Sequence, residues 1–349
     1  MCRWFAYISA TESALLEDVL IVPAHSLSKQ VQEHYLPYLE HFEPDTDVKA
    51  TNREIDLRNR YFNADGFGVA WYTTTREAYG ECEGSRPIMY RIVRQPLTDP
   101  VFRSIAAHTA STAIFAHVRA ASGSTAIVDS NCHPFQFGRY LFMHNGMVGG
   151  FSLIRRRMVH AMSDEAAQHL AGTTDSEHLA MLFFTCLAQR VGVRAPQVFE
   201  VQHPLEDVKA ALEEAITTVI RLQHEALSAA GEDAPAFEPS SLNVAITDGA
   251  RLLAVRFRNH ATEHPPSLYF STTAGATLNR KYPGHPDAGH PRNEEGSSGA
   301  DEKVHGAHVV VASEPTTYKQ EEWELVRKNE CIMVTEDMKL LRETVNVAF

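Results

Sequence analysis

Cys2 directly follows the initiator methionine, and its side chain is small enough for a methionine aminopeptidase to remove Met1 and leave cysteine first. A thiol and a free α-amino group would then share one carbon. In model compounds a thiol titrates at about 8.5 and an α-amine at about 7.7–8.0, so one residue would hold both a nucleophile and a base poised near neutral pH. The competing reading is a small buried hydrophobe opening an apolar strand over residues 2–8, since free cysteine is among the most buried residue types.

Three further sites suit acyl-transfer chemistry. In Phe142-Met143-His144-Asn145-Gly146-Met147-Val148 an Asn-Gly pair stands between apolar runs, a spacing that predicts a two-residue hairpin turn. The same turn would aim the Asn145 amide and the Gly146 N–H at one spot, as an oxyanion hole requires. Arg119 ends the strand-like Ala116-His117-Val118, and its planar fork fits a carboxylate in bidentate fashion, although a strand-end arginine also serves as an ordinary surface charge. Asp175, in Gly172-Thr173-Thr174-Asp175-Ser176-Glu177, opens a helix, where the helix dipole alone favours a carboxylate; the functional alternative is a partner for a substrate ammonium.

Other candidates are weaker. Asn131-Cys132-His133-Pro134-Phe135 contains a cysteine and a histidine, but side chains at adjacent positions seldom converge on one ion, so no metal site and no cofactor are expected. His285, His290, His305 and His308 are irregularly spaced and suggest adventitious metal binding at most. Asn63-Ala64-Asp65-Gly66-Phe67-Gly68 lacks the lysine of a phosphate-cradling loop and precedes a strand, so it reads as a turn.

Positioning these residues needs strands. Runs rich in aromatic or β-branched residues predict strands over 2–8, 66–72, 88–94, 112–119 and 140–144, then over 242–247, 252–257, 267–271, 307–312 and 331–335. Between them, 3.6-residue periodicity predicts helices over 100–109, 152–161, 164–171, 175–189 and 205–229, with Thr174 and Glu177 forming a capping box. Helices bunched between strand-rich halves favour a layered α+β architecture over a doubly wound parallel sheet. Residues 283–306, crowded with Gly, Pro, His and acidic side chains, read as a mobile insertion.

The 349-residue chain carries a formal charge of −12, which argues against nonspecific nucleic-acid or anionic-membrane binding. The basic run Arg155-Arg156-Arg157 reads as a solvated helix face. Five scattered cysteines suggest neither a disulfide framework nor a zinc ribbon, and no apolar stretch is long enough to span a bilayer. A reducing, cytosolic compartment is the expectation.

Met-Cys at the start, then Asn-Ala-Asp-Gly-Phe-Gly, Ala-His-Val-Arg-Ala, Asn-Cys-His-Pro-Phe, Met-His-Asn-Gly and Thr-Thr-Asp-Ser-Glu, in this order, resemble the class II glutamine amidotransferases, which are N-terminal-nucleophile hydrolases. The catalytic motifs fall within residues 2–190. The later stretches Ser241-Leu242-Asn243-Val244-Ala245-Ile246-Thr247-Asp248-Gly249, Leu268-Tyr269-Phe270-Ser271 and Val311-Ala312-Ser313-Glu314-Pro315 are similar to a narrower branch, the amidotransferase subunit of the eukaryotic complex that cleaves the γ-glutamyl bond of glutathione. A related bacterial branch releases glutamate from an ergothioneine intermediate, and Val22-Pro23-Ala24-His25-Ser26-Leu27 fits both.

The resemblance implies a four-layer αββα sandwich formed as a single domain over residues 2–349, with strands over 242–341 completing it. It implies Cys2 as nucleophile, Asn145 and Gly146 as oxyanion hole, Arg119 on the substrate α-carboxylate and Asp175 on its α-ammonium. It also implies a metallopeptidase-like partner subunit. Met147 departs from the branch, which often has a second glycine there; that bears on the neighbouring substrate pocket. Glutamine or another γ-glutamyl compound as substrate, and a non-catalytic scaffold subunit, are the alternatives.

Overall fold

Every residue of the first strand, β1 (Arg3–Ser9), is buried, which requires cover on both of its faces. The computed structural model, which describes residues 2–32, 63–121, 125–230, 238–281, 306–317 and 319–347, supplies that cover with two sheets and two helical layers. The strands that follow are β2 (Ala14–Leu15), β3 (Phe67–Thr73), β4 (Arg86–Ile92), β5 (Ala110–Ser111), β6 (Ala113–Val118), β7 (Phe135–Phe137), β8 (Tyr140–Met147) and β9 (Ser241–Thr247). After them come β10 (Leu252–Arg258), β11 (Tyr269–Ser271), β12 (His308–Ala312), β13 (Glu324–Leu325), β14 (Glu330–Val334) and β15 (Leu340–Thr344). The helices are α1 (Leu16–Leu20), α2 (Thr75–Ala78), α3 (Pro100–His108), α4 (Phe151–Ala161), α5 (Asp164–Ala167), α6 (Asp175–Val191), α7 (Gln197–Glu200) and α8 (Leu205–Ala230).

A seven-stranded sheet runs β13-β11-β12-β1-β6-β3-β4 and a six-stranded sheet runs β15-β14-β10-β9-β8-β7. Side chains alternate across β1 with the period of two that a strand imposes. Trp4, Ala6 and Ile8 join Leu141, Met143, Ala245 and Ile332 of the other sheet in the central layer. Phe5 and Tyr7 point the other way, to Leu16, Val19 and Leu20 of α1 and Phe102 of α3. On the far side, Phe142, Val244, Ile246 and Val255 pack beneath α4, α6 and α8. This is the four-layer αββα, α+β sandwich. No described helix is long and apolar enough to cross a membrane.

Helix α6 lies between the six-stranded sheet and its neighbouring helices and is buried without interruption from Ser176 to Leu187. Its N-terminus follows the expected cap only in part. Thr174 Oγ1 accepts the Glu177 N–H at 3.2 Å, but the Glu177 carboxylate accepts from the N–H groups of Ala171 (3.1 Å) and Gly172 (2.7 Å). That contact draws residues 171–172 into a loop, and α5 stops at Ala167 where the periodicity extends to 171. The strand β15 carries Arg342 and Glu343 on a sheet edge, where polar residues belong, so its pattern is weak in the sequence. The insertion expected at 283–306 lies outside the described residues except for Gly306, whose N–H donates to Glu12 Oε2 at 2.9 Å. His285, His290 and His305 lie outside them too; His308 opens β12 and stacks on Tyr7.

The start of β1 is secured by buried charge. Arg3 Nε donates to Glu314 Oε1 at 2.5 Å, His25 Nε2 lies 2.9 Å from Glu314 Oε2, and Arg3 Nη1 donates to the Cys2 carbonyl at 3.2 Å. Burial pushes the Glu314 carboxyl up, but the Arg3 guanidinium and His25 outweigh it and bring it down to about 2 from an ordinary 4.5. A depressed folded-state value means that the stability from this group is fully present above about pH 4.5 and is lost as pH falls toward about 2. Glu314→Gln is expected to cost about 3–5 kcal/mol at pH 7, because it removes the charge opposite a buried guanidinium. The gap from wild type should narrow as pH drops through that window, as read from urea midpoints at several pH values; a gap that stays constant would show that the carboxylate charge is not what stabilises this corner.

Candidate active site

Cys2 is half-buried just ahead of β1. The antiparallel register pairs Arg3 with Val118 and so lays Cys2 beside the chain leaving β6. There the Ala120 N–H reaches the Cys2 sulfur at 3.4 Å, and the thiol lies 3.5 Å from the Ala120 carbonyl. Arg119 is the neighbouring residue, so the strand exit that cradles the sulfur also presents the guanidinium.

Arg119 is buried, with its Nη1 donating to the Ala126 carbonyl at 3.1 Å and its own N–H bound to Gly66 O at 2.8 Å. Among the described residues no carboxylate pairs with it. A desolvated cation is costly in a folded protein unless an anion meets it, and no described carboxylate does so here.

Asn145 and Gly146 do not form the two-residue turn that the Asn-Gly pair predicts. They continue β8 in register with β9, Asn145 opposite Asn243 and Gly146 opposite Leu242. The hairpin signal loses here to a continuous sheet. Glycine is needed at 146 for a different reason: its φ is +151°, and a Cβ would fall 1.8 Å from the Ser241 carbonyl oxygen. β7 pairs with β8 only as far as Phe142, so toward Gly146 the outer edge of β8 faces no strand among the described residues. The Asn145 side chain is buried; its Nδ2 donates to Ser313 Oγ at 3.4 Å. That hydroxyl also accepts the Trp4 N–H at 3.0 Å, so a single oxygen links the expected oxyanion amide to the strand bearing Cys2.

Asp175 sits at the N-terminus of α6. Its Oδ2 accepts the Val148 N–H and its Oδ1 the Ser176 N–H, each at 2.8 Å. The Ser176 hydroxyl lies 2.8 Å from His144 Nδ1, while His144 Nε2 lies 3.2 Å from the Ser241 carbonyl. A carbonyl can only accept, so Nε2 carries the proton and Nδ1 accepts from Ser176. Burial pushes the His144 pKa down, against the pull of Asp175 and the Ser241 carbonyl, and the ring stays neutral. Asp175 is thereby tied to the chain leaving β8 at Val148 and, through the Ser176–His144 bridge, to β8 itself.

The remaining motifs form the walls. His117 is buried and stacked on His133 with ring centroids 4.3 Å apart, and burial holds its pKa down to about 3. The Cys132 thiol is pushed up to about 11 by burial. Among the described residues no three His, Cys, Asp or Glu side chains are grouped to hold a metal ion. Asn131 is buried between the Ala126 carbonyl, 2.9 Å from its Nδ2, and Thr173, whose N–H reaches its Oδ1 at 2.9 Å.

The five expected residues thus fall in two groups, Cys2 and Arg119 at the exit of β6 and Asn145, Gly146 and Asp175 at the end of β8 and the start of α6, while Ser313 bridges Asn145 and the Trp4 backbone of β1. Reasoning from the sequence did not assign Arg3, His25, Ser313, Glu314, His144 or Ser176 to the site. Five of these, all but Arg3, lie in the quoted motifs of residues 22–27, 142–148, 172–177 and 311–315, but their partners are distant in the chain.

Comparison with known proteins gives the family. The family model described as glutamine amidotransferases class-II matches residues 53–227. The chain is 28% identical over 348 residues to the probable glutamine amidotransferase DUG3 of Saccharomyces cerevisiae, covering 99% of this chain and 85% of the yeast protein. A glutamine aminotransferase class-II domain protein from Silicibacter pomeroyi has a similar fold, with a TM-score of 0.55 at 23% identity over 99% of this chain and 100% of that one. The glutamine phosphoribosylpyrophosphate amidotransferase of B. subtilis superposes with a TM-score of 0.50 at 12% identity, over 99% of this chain and 50% of its own. With the matched family model spanning half of its length, and with two antiparallel sheets between helical layers, this chain belongs to the class II glutamine amidotransferases.

Proposed function

We propose that this protein is a γ-glutamyl amidohydrolase that uses Cys2 as an N-terminal nucleophile and releases glutamate from glutathione by way of a γ-glutamyl thioester. The observation that carries the reading is the exit of β6, where buried Arg119, lacking a carboxylate partner among the described residues, adjoins the Ala120 backbone that holds the Cys2 sulfur. A γ-glutamyl substrate brings an α-carboxylate and a γ-carbonyl, which such a pair of groups can take together.

In this reading Arg119 binds the α-carboxylate in bidentate fashion and Asp175 receives the α-ammonium, which orients the γ-carbonyl at Cys2. Removal of Met1 frees the Cys2 α-amine, which takes the thiol proton directly or through water. The thiolate forms a bond to the γ-carbon, and the carbonyl π electrons move to oxygen, where the Asn145 amide and the Gly146 N–H stabilise the negative charge. Collapse expels the leaving amine, protonated by the α-ammonium, and leaves the thioester. Water, deprotonated by the same α-amine, then attacks the thioester; glutamate departs and the thiol is restored.

Similarity to the glutathione-degrading branch supports glutathione as substrate, a metallopeptidase-like partner subunit and a cytosolic setting. Glutamine is the second reading, favoured by the amidotransferase names of the relatives.

Purified protein incubated with glutathione or glutamine, with and without a metallopeptidase-like partner, is expected to release glutamate, and Cys2→Ala is expected to abolish that release. Intact mass should show Met1 absent from the active species; activity in a preparation that retains Met1, or in Cys2→Ala, would sink the mechanism. Asn145→Ala should lower kcat by about 10²- to 10³-fold, the usual effect of losing one oxyanion donor. Arg119→Lys should impair kcat/KM, because a point charge cannot reproduce the bidentate fork; unchanged constants would remove Arg119 from the site.

A further inference from the structure

Asn131 belongs to none of the roles assigned above, yet it is fully buried and all of its side-chain contacts lead to the two groups read as gripping the substrate. It ends a short 3-10 turn, Asp129–Asn131. On one side its Nδ2 donates to the Ala126 carbonyl at 2.9 Å, the same oxygen that accepts Arg119 Nη1 at 3.1 Å. On the other, Nδ2 lies 3.2 Å from Thr173 Oγ1 and Oδ1 accepts the Thr173 N–H at 2.9 Å. Thr173 stands two residues ahead of Asp175, and the chain passes so near that a Cβ on Gly172 would fall 2.4 Å from Asn131 Oδ1.

We propose that Asn131 is a positioning residue that sets the separation of Arg119 and Asp175, and thereby makes the site select a head carrying both an α-carboxylate and an α-ammonium. This rests on the γ-glutamyl reading of the site. The chemistry of an amide fits the role. Only a side chain with an acceptor and two donors on one rigid plane can accept from the Thr173 backbone while donating to the Ala126 carbonyl and the Thr173 hydroxyl. Aspartate has the same shape but no donor, and it would turn a second oxygen toward the Ala126 carbonyl. Alanine keeps none of the three contacts. Without the brace, the loop bearing Ala126 and the loop bearing Thr173 are free to shift relative to each other, and a displacement of about 1 Å in a bound group can cost about 10²-fold in rate.

The role can be separated from a merely structural one by substrate selectivity. Glutamate or amine release should be followed with γ-glutamyl anilide, with its glutaryl analogue lacking the α-ammonium and with its 4-aminobutyryl analogue lacking the α-carboxylate. Wild type should prefer the complete head strongly. In Asn131→Ala and Asn131→Asp, kcat/KM for the complete head should fall about 10- to 100-fold, chiefly through KM, while the two truncated analogues change by less than about 3-fold, so that the preference collapses. Thr173→Val, which removes one acceptor and keeps the volume, should move the preference the same way by a smaller factor and serves if the Asn131 variants fold poorly. An equal loss on all three substrates, or an unchanged preference in both Asn131→Asp and Thr173→Val, overturns the proposal and leaves the hydrolase reading intact. If wild type cleaves none of the three and calorimetry detects no glutamate binding, the γ-glutamyl reading fails and this proposal falls with it.

Discussion

The ion pair between Arg3 and Glu314 is the contact on which the rest of the site depends. It joins residues 311 positions apart in the chain, inside a region closed to solvent, and its guanidinium also holds the Cys2 carbonyl. The pair survives burial because each charge meets the other at hydrogen-bond distance and His25 satisfies the second carboxylate oxygen. Ser313, the preceding residue, faces the opposite way and binds the Trp4 N–H and the Asn145 amide. Two adjacent side chains just after β12 thus fix the start of β1 from both faces, one toward the helical layer and one toward the second sheet.

This arrangement explains why a strand so thoroughly buried can begin beside a half-buried cysteine. The apolar side chains of β1 make its position rigid through contact with both neighbouring layers. At Cys2 the packing gives way to backbone contacts from Ala120, so the sulfur is held without being entombed. Burial lowers the pKa values of His117, His133 and His144 alike; His117 and His144 hydrogen-bond through their rings, and His133 stacks on His117.

The site is shared among elements that each carry part of it. The exit of β6 presents Arg119, the end of β8 presents Asn145 and Gly146, and the start of α6 presents Asp175. These parts are held in mutual position by side chains with no assigned chemistry of their own, namely Ser313, Ser176, His144 and Asn131. Such bracing suits acyl transfer, in which stabilisation of a developing oxyanion depends on donors fixed before the reaction begins.

Much of this was legible in the sequence. The strands, the long helices and their grouping follow from local periodicity and turn residues, and the ordered motifs point to the family and to Cys2, Arg119, Asn145, Gly146 and Asp175. Local pattern also misled: Asn145-Gly146 has the composition of a turn but lies within β8, because pairing with β9 over the whole strand outweighs the preference of two residues. Glu177 belongs to a capping sequence but serves the loop before the cap. What only the tertiary structure decided is the set of long-range partners: Arg3 with Glu314, Ser313 with Asn145, Asn131 with Thr173. A sequence determines which groups are available to pair, through residue type and periodicity. It is the register of antiparallel strands and the stacking of layers, set by the packing of the whole core, that brings residues from opposite ends of the chain within hydrogen-bond reach.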